Sequence, residues 1–185
     1  MTPDAIAALF TRDGRFLCAR WGRPVAPVLF GLADESLAVF QSAIHAVLAD
    51  ARVPTADTDP ETGANLMGFF VRDWAELGGI PDLDRLTGMT GLPARLAAEG
   101  TARYRLFRFA PDGGIRACLT FVRVRDEHPA PLAESVAVNA LLSFAHEVTP
   151  SPDLAALIRA AYDPVLPGCA TDPAHALRLA ARTRA

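Results

Sequence analysis

The sequence predicts an α+β fold: a mixed or antiparallel sheet with a β-hairpin, packed by a long N-terminal helix and a mostly helical C-terminal third. Three observations carry this expectation. Tyr104–Phe109 and Ile115–Val124 alternate polar and apolar residues around Pro111-Asp112-Gly113-Gly114, the pattern of a hairpin. Leu37, Phe40, Ile44, Val47, Leu48 and Ala51 recur at helical spacing. Beyond Leu132, helix-length apolar segments are separated by prolines. A length of 185 residues suits one domain, 1–185, with a sizeable core.

Taken in order, Ala5–Phe10 and Phe16–Trp21 read as two extended runs about an Asp13-Gly14 turn. Val25–Gly31 reads as a strand, and Pro27, lacking a donor, places it at an edge or a strand start. Asp34 is the expected N-cap of the long helix, with Glu35 in its first turn and Pro54 as its stop. Thr55–Gly63 is polar and reads as a loop, and Asn65–Val71 as a buried strand. Trp74–Leu77 starts a short helix that Gly78-Gly79 ends, and Leu92–Glu99 forms another. The alternation in the hairpin arms predicts one wet face. Leu132–His146 carries almost no charge after Glu134, so its helix should be buried on most sides. Leu154–Ala161 and Ala174–Arg182 complete the helices, with an irregular crossing over Tyr162–Gly168.

Composition excludes several chemistries. The 18 basic residues are all arginine. Without lysine there is no Schiff-base amine, no Ser-Lys dyad and no P-loop lysine. A net charge of −3 argues against a nucleic-acid partner, because phosphate-backbone binding needs a basic face. Arg103, Arg105 and Arg108 are the densest basic group, and their alternation with apolar residues reads as a solvated strand edge. No apolar run approaches the roughly 20 residues of a membrane span, so no membrane partner is expected. Met1–Ala5 lacks the basic segment of a secretory signal, which predicts a cytoplasmic protein. The three cysteines, Cys18, Cys118 and Cys169, form no C-x-x-C pair and read as single thiols in a reducing compartment.

The buried helix carries a polar stripe. Ser135, Asn139, Ser143 and His146 stand at offsets of 0, 4, 8 and 11. At about 100° per residue they share one face. Buried polar groups need partners, so this stripe is either the wall of a cleft or a row of internal hydrogen bonds. His146-Glu147 starts like H-E-x-x-H, but Pro150 replaces the second histidine, which leaves His146 as a helix-end residue. His45, His128 and His175 are scattered, with no two at ligand spacing, and no metal or cofactor is expected. Asp57, Asp59 and Glu61 resemble a fragment of a calcium loop that Pro60 interrupts. Arg20, Trp21 and Arg23 have the composition of a surface cation–π cluster, or of a Trp simply packed beside a strand.

Three segments in order resemble a bacterial domain-of-unknown-function family with a suspected zincin-like metalloprotease layout. They are Arg20-Trp21-Gly22-Arg23-Pro24-Val25, Ala64-Asn65-Leu66, and Ile158–Gly168 with its Tyr162-Asp163-Pro164-Val165-Leu166-Pro167-Gly168 core. The resemblance implies a buried helix bearing E-E-x-x-Q where zincins carry H-E-x-x-H. The corresponding stretch here is Ser135-Val136-Ala137-Val138-Asn139, or begins at Glu134 if shifted by one. In either register the metal donors and the general base are missing. A divergent member that kept the scaffold and lost the site follows.

The first functional expectation is therefore a non-catalytic binding or interaction domain, with a protein or small-molecule partner, or a second copy of itself. The rival is a peptidase-like hydrolase assembled from Glu134, Asn139, His146, Glu147 and Asp163. A third is a small-ligand binder using Trp21, Arg23 and Asn65.

Overall fold

A computed structural model describes residues 1–125 and 127–183. Its centre is a four-stranded sheet in the order β4 (Pro27–Phe30), β5 (Leu66–Val71), β7 (Ile115–Arg123), β6 (Arg103–Phe109). The first three strands are mutually parallel, and β6 runs antiparallel to β7 through the expected hairpin. Parallel strands bury both faces, which is why β5 reads as the unbroken apolar run Leu66-Met67-Gly68-Phe69-Phe70-Val71. Alternate residues serve opposite layers. Phe69, Leu119 and Phe121 pack with Trp74 and Leu77 of the 3-10 helix Trp74–Gly79, and with Leu83 of α3 (Leu83–Thr87) and Leu92 and Leu96 of α4 (Leu92–Ala98). Leu66, Phe70, Cys118 and Val122 face α2 (Asp34–Asp50) and α5 (Pro129–Leu141). No helix among the described residues is long and apolar enough to cross a membrane.

The α+β class is as expected, with three corrections to its detail. The N-terminus carries a seven-residue helix, α1 (Pro3–Leu9), where an extended run was anticipated, and the 17-residue α2 follows only after β4. Thr2 caps α1 by accepting from the Ala5 N–H, and Pro3 sits at its first turn, both helix-start features. Asp13-Gly14 does turn the chain, between β1 (Thr11–Arg12) and β2 (Arg15–Phe16), with positive φ at both residues as a two-residue hairpin turn requires. In the hairpin β7 has no wet face, whereas no residue of β6 is fully buried. Five consecutive β7 residues, Cys118–Val122, are buried, because α4 covers one side and α5 the other.

The third correction concerns α5, which stops at Leu141, five residues before His146. Leu142 is extended and bridges Arg20, and the Ser143 N–H donates to the Ala19 carbonyl. Side chains from elsewhere take up the last helical carbonyls: Trp21 Nε1 donates to Ala140 at 2.8 Å and the Tyr162 hydroxyl to Leu141 at 2.6 Å. The helix ends there because its terminus is already satisfied and the chain is drawn into β3 (Cys18–Ala19). That strand pairs on its other side with β8 (Cys169–Ala170). The layer is closed by α6 (Pro152–Ala161) and α7 (His175–Arg182).

Candidate functional site

A cleft of about 1030 Å³ lies between β6, the inward face of α5, the β1–β2 hairpin and the 143–147 segment. Its floor is built by β6. The Arg123 N–H donates to the Ala102 carbonyl, so the even-numbered residues of β6 spend their backbone groups on β7. Those of Arg103, Arg105 and Phe107 therefore point to the free edge. The Arg103 carbonyl is taken by the Thr101 hydroxyl at 2.8 Å. The backbone groups of Arg105 and Phe107 have no hydrogen-bond partner among the described residues, and both residues line the cleft.

The side chains of Arg103 and Arg105 turn toward α5 rather than into bulk solvent, correcting the reading of this run as a solvated edge. Arg103 meets the Ser135 hydroxyl at 3.0 Å, Glu127 at 2.7 Å, and Glu147. Burial alone would lower its pKa, but Glu147 and Glu127 outweigh that and raise it. Arg105 donates to Asn139 Oδ1 at 2.8 Å and to the carbonyls of Phe144 and His146 at 3.2 and 3.3 Å. All three acceptors are neutral. Burial pulls the Arg105 pKa down, and Arg12 adds repulsion, while Cys118 and Glu147 act in the opposite sense. An uncompensated buried charge costs several kcal/mol, which neutral carbonyls offset only in part. Arg12 reaches the same segment from β1, donating to the Ala145 carbonyl. Arg108 leaves by the other face, to the Leu86 carbonyl.

The polar stripe of the α5 sequence does line this cleft, but its members are occupied. Asn139 uses its whole hydrogen-bonding capacity. Its amide donates to the Ser135 and Val148 carbonyls at 2.9 and 2.8 Å, and its oxygen accepts from Arg105 and from the Val148 N–H at 2.9 Å. Ser143 donates to the Leu17 carbonyl at 2.9 Å and accepts from the Ala19 N–H at 2.7 Å. A serine whose proton is held by a carbonyl has no base to take it, and an amide cannot exchange protons. His146 and Glu147 are exposed on the rim, in an irregular segment with a bend at Ala145 and His146 rather than at a helix end.

The other residues of the hydrolase expectation lie elsewhere. Glu134 is on the far side of α5, in a second groove of about 690 Å³ shared with α2 and α6. Asp163 pairs with Arg182 at 2.7 Å and caps the Val165 N–H, contacts that hold its pKa down. The small-ligand trio is used internally. Trp21 is 5% exposed and bonded to α5. Arg20 stacks over Tyr162, at 5.7 Å, rather than over Trp21. Asn65 bridges the Ala26 N–H, the Pro24 carbonyl and Asp59, and Arg23 pairs with Asp59 and Glu61.

Asp59 is buried, and burial would raise its pKa, but N–H groups of Thr62 and Glu61, the Thr62 hydroxyl and Asn65 lower it to about 2. Glu61 faces Arg23 and Arg116. These acids are turned toward internal donors and not toward a common cation. Among the described residues no group of three His, Cys, Asp or Glu side chains is placed to hold a metal. Cys18 and Cys118 are buried, which pushes their thiols up to about 12 and about 11, values that suit inert packing.

Sequence reasoning missed Arg12 and Arg105. The signal for Arg105 was present in the period-2 alternation of β6, which sets it on the same face as Arg103. Which helix covers that face is long-range information. No family model, no curated protein and no solved structure matches the chain.

Proposed function

We propose that this chain is a non-catalytic binding domain whose ligand is an extended polypeptide segment laid along the free edge of β6. An exposed strand edge offers main-chain hydrogen bonds to an incoming strand, and side-chain pockets on alternate positions supply selectivity. The observation that carries the reading is the pairing of an open edge with an occupied wall. Arg105 and Phe107, on the free edge, border the cleft, while Asn139 and Ser143 opposite are consumed by internal hydrogen bonds. The resemblance to the zincin-like family is consistent with this. The helix expected to carry metal donors lines the cleft, and presents Ser135 and Asn139 there.

Selection from a displayed peptide library, followed by backbone N-methylation of the selected sequence, tests the proposal. Binders should emerge, and methylating alternate amides should abolish binding while methylating the others leaves it intact. Uniform tolerance of methylation would contradict strand addition. One observation favours a second reading, a hydrolase: His146 and Glu147 border the same cleft. Stoichiometric zinc together with peptide cleavage, lost in His146→Ala, would replace the first proposal with the second.

A further inference from the structure

The arginines of the cleft divide into two kinds. Arg103 has carboxylate partners, Glu127 and Glu147. Arg105, on the same face two residues later, has only the amide oxygen of Asn139 and two backbone carbonyls. Arg12 has a single carbonyl, that of Ala145. Neither Arg12 nor Arg105 forms an ion pair among the described residues. Both converge on the three-residue segment 144–146, one from the β1–β2 hairpin and one from the sheet.

The acids that border the cleft do not make up the difference. Glu147 is taken by Arg103, and Glu99 pairs with Arg95 at 3.1 Å. Asp13 sits in the turn between β1 and β2 and is exposed. Arg15, also on the hairpin and lining the cleft, adds another cation with no ion pair among the described residues. Arg12 is exposed and Arg105 half-buried, and both line the cleft. Guanidinium groups that border one concave site and lack counter-charges are suited to a ligand carboxylate, which they meet with paired, directional N–H donors.

We propose that Arg12 and Arg105 form an anion subsite in the cleft, and that it takes a carboxylate of the bound polypeptide. This rests on the strand-addition reading for the identity of the ligand, and not for the existence of the subsite. The carboxylate has two sources in a peptide, an acidic side chain or the free C-terminus, and both present the same planar pair of oxygens.

Three dye-labelled heptapeptides separate the cases by fluorescence anisotropy: an alternating valine–glutamate peptide blocked at both ends, its glutamine counterpart, and the glutamine peptide with a free C-terminal carboxylate. At least one carboxylate peptide should bind about tenfold more tightly than the blocked glutamine peptide, the gain of one charge-assisted contact. In Arg12→Gln that advantage should vanish while binding of the blocked glutamine peptide is unchanged, and in Arg105→Met the ratio between the carboxylate and glutamine peptides should collapse in the same way. Equal affinities for all three peptides, or an advantage retained in both variants, would overturn the subsite. If none of the three binds, strand addition fails and the subsite is judged alone. Sodium succinate, against sodium chloride at equal ionic strength, must then raise the Tm of the native chain and not that of Arg12→Gln. No difference between the salts would overturn it.

Discussion

Two polar clusters in this molecule are built from the same parts and end differently. In the first, Arg23 and Asn65 tie the 55–65 loop to the start of β4, and the buried carboxylate of Asp59 stands between them. In the second, Arg105 and Asn139 tie the 144–148 segment to β6 and α5, and no carboxylate stands between them. The first is closed: donors and acceptors match, charge is balanced, and nothing is left for a ligand. The second matches its hydrogen bonds but not its charge, and it borders a cleft. A buried polar network that satisfies itself is structural, and one left with a net charge at an open wall is where a binding site belongs.

The largest expected effect comes from removing the hub of the open cluster. Asn139→Ala strands the N–H and carbonyl of Val148 and takes an acceptor from Arg105, and should cost about 4 kcal/mol of unfolding free energy in urea titration. A loss under about 1 kcal/mol would mean that the 144–148 segment is held by other contacts.

Asp59 breaks the comparison from the other side. Its folded pKa, about 2, lies below the ordinary 3.8, so the stability it contributes is present above pH 3.8 and is lost as pH falls through the folded value. Asp59→Asn should cost about 2 kcal/mol at neutral pH and should flatten that stretch of the stability–pH curve. An unchanged acid profile would remove Asp59 from the account.

The smallest effect is expected at Arg105. Arg105→Met deletes a poorly compensated charge, and the acceptors it leaves are within reach of cleft water, so stability should change by less than about 1 kcal/mol. A loss as large as that of Asn139→Ala would show that Arg105 is structural in the manner of Arg23.

Local chemistry in the sequence foretold the hairpin, the buried β5 run and α2, because each is set by its own periodicity. The same reasoning took Ala5–Phe10 as extended, although Thr2 and Pro3 announce a helix. A short apolar hexamer is ambiguous by pattern alone, and the capping residues decide it. The polar stripe was half legible. All four residues line the cleft, but only Ser135 and Asn139 do so from the helix, since Ser143 and His146 lie past its end. The contacts that end α5 come from Trp21 and Tyr162, over a hundred and about twenty residues away in sequence, and no local pattern encodes them. The inward turn of Arg105 was hidden for the same reason. Period-2 alternation assigns residues to faces but does not say what covers each face.

The central claim is that the β6 edge receives a strand, and amide hydrogen exchange tests it residue by residue. In the free chain the amides of Arg105 and Phe107 should exchange much faster than those of Tyr104 and Leu106, which bond to β7. Saturation with a selected peptide should protect Arg105 and Phe107 specifically. A peptide that binds tightly and leaves those two amides exchanging at their free rates would contradict the account.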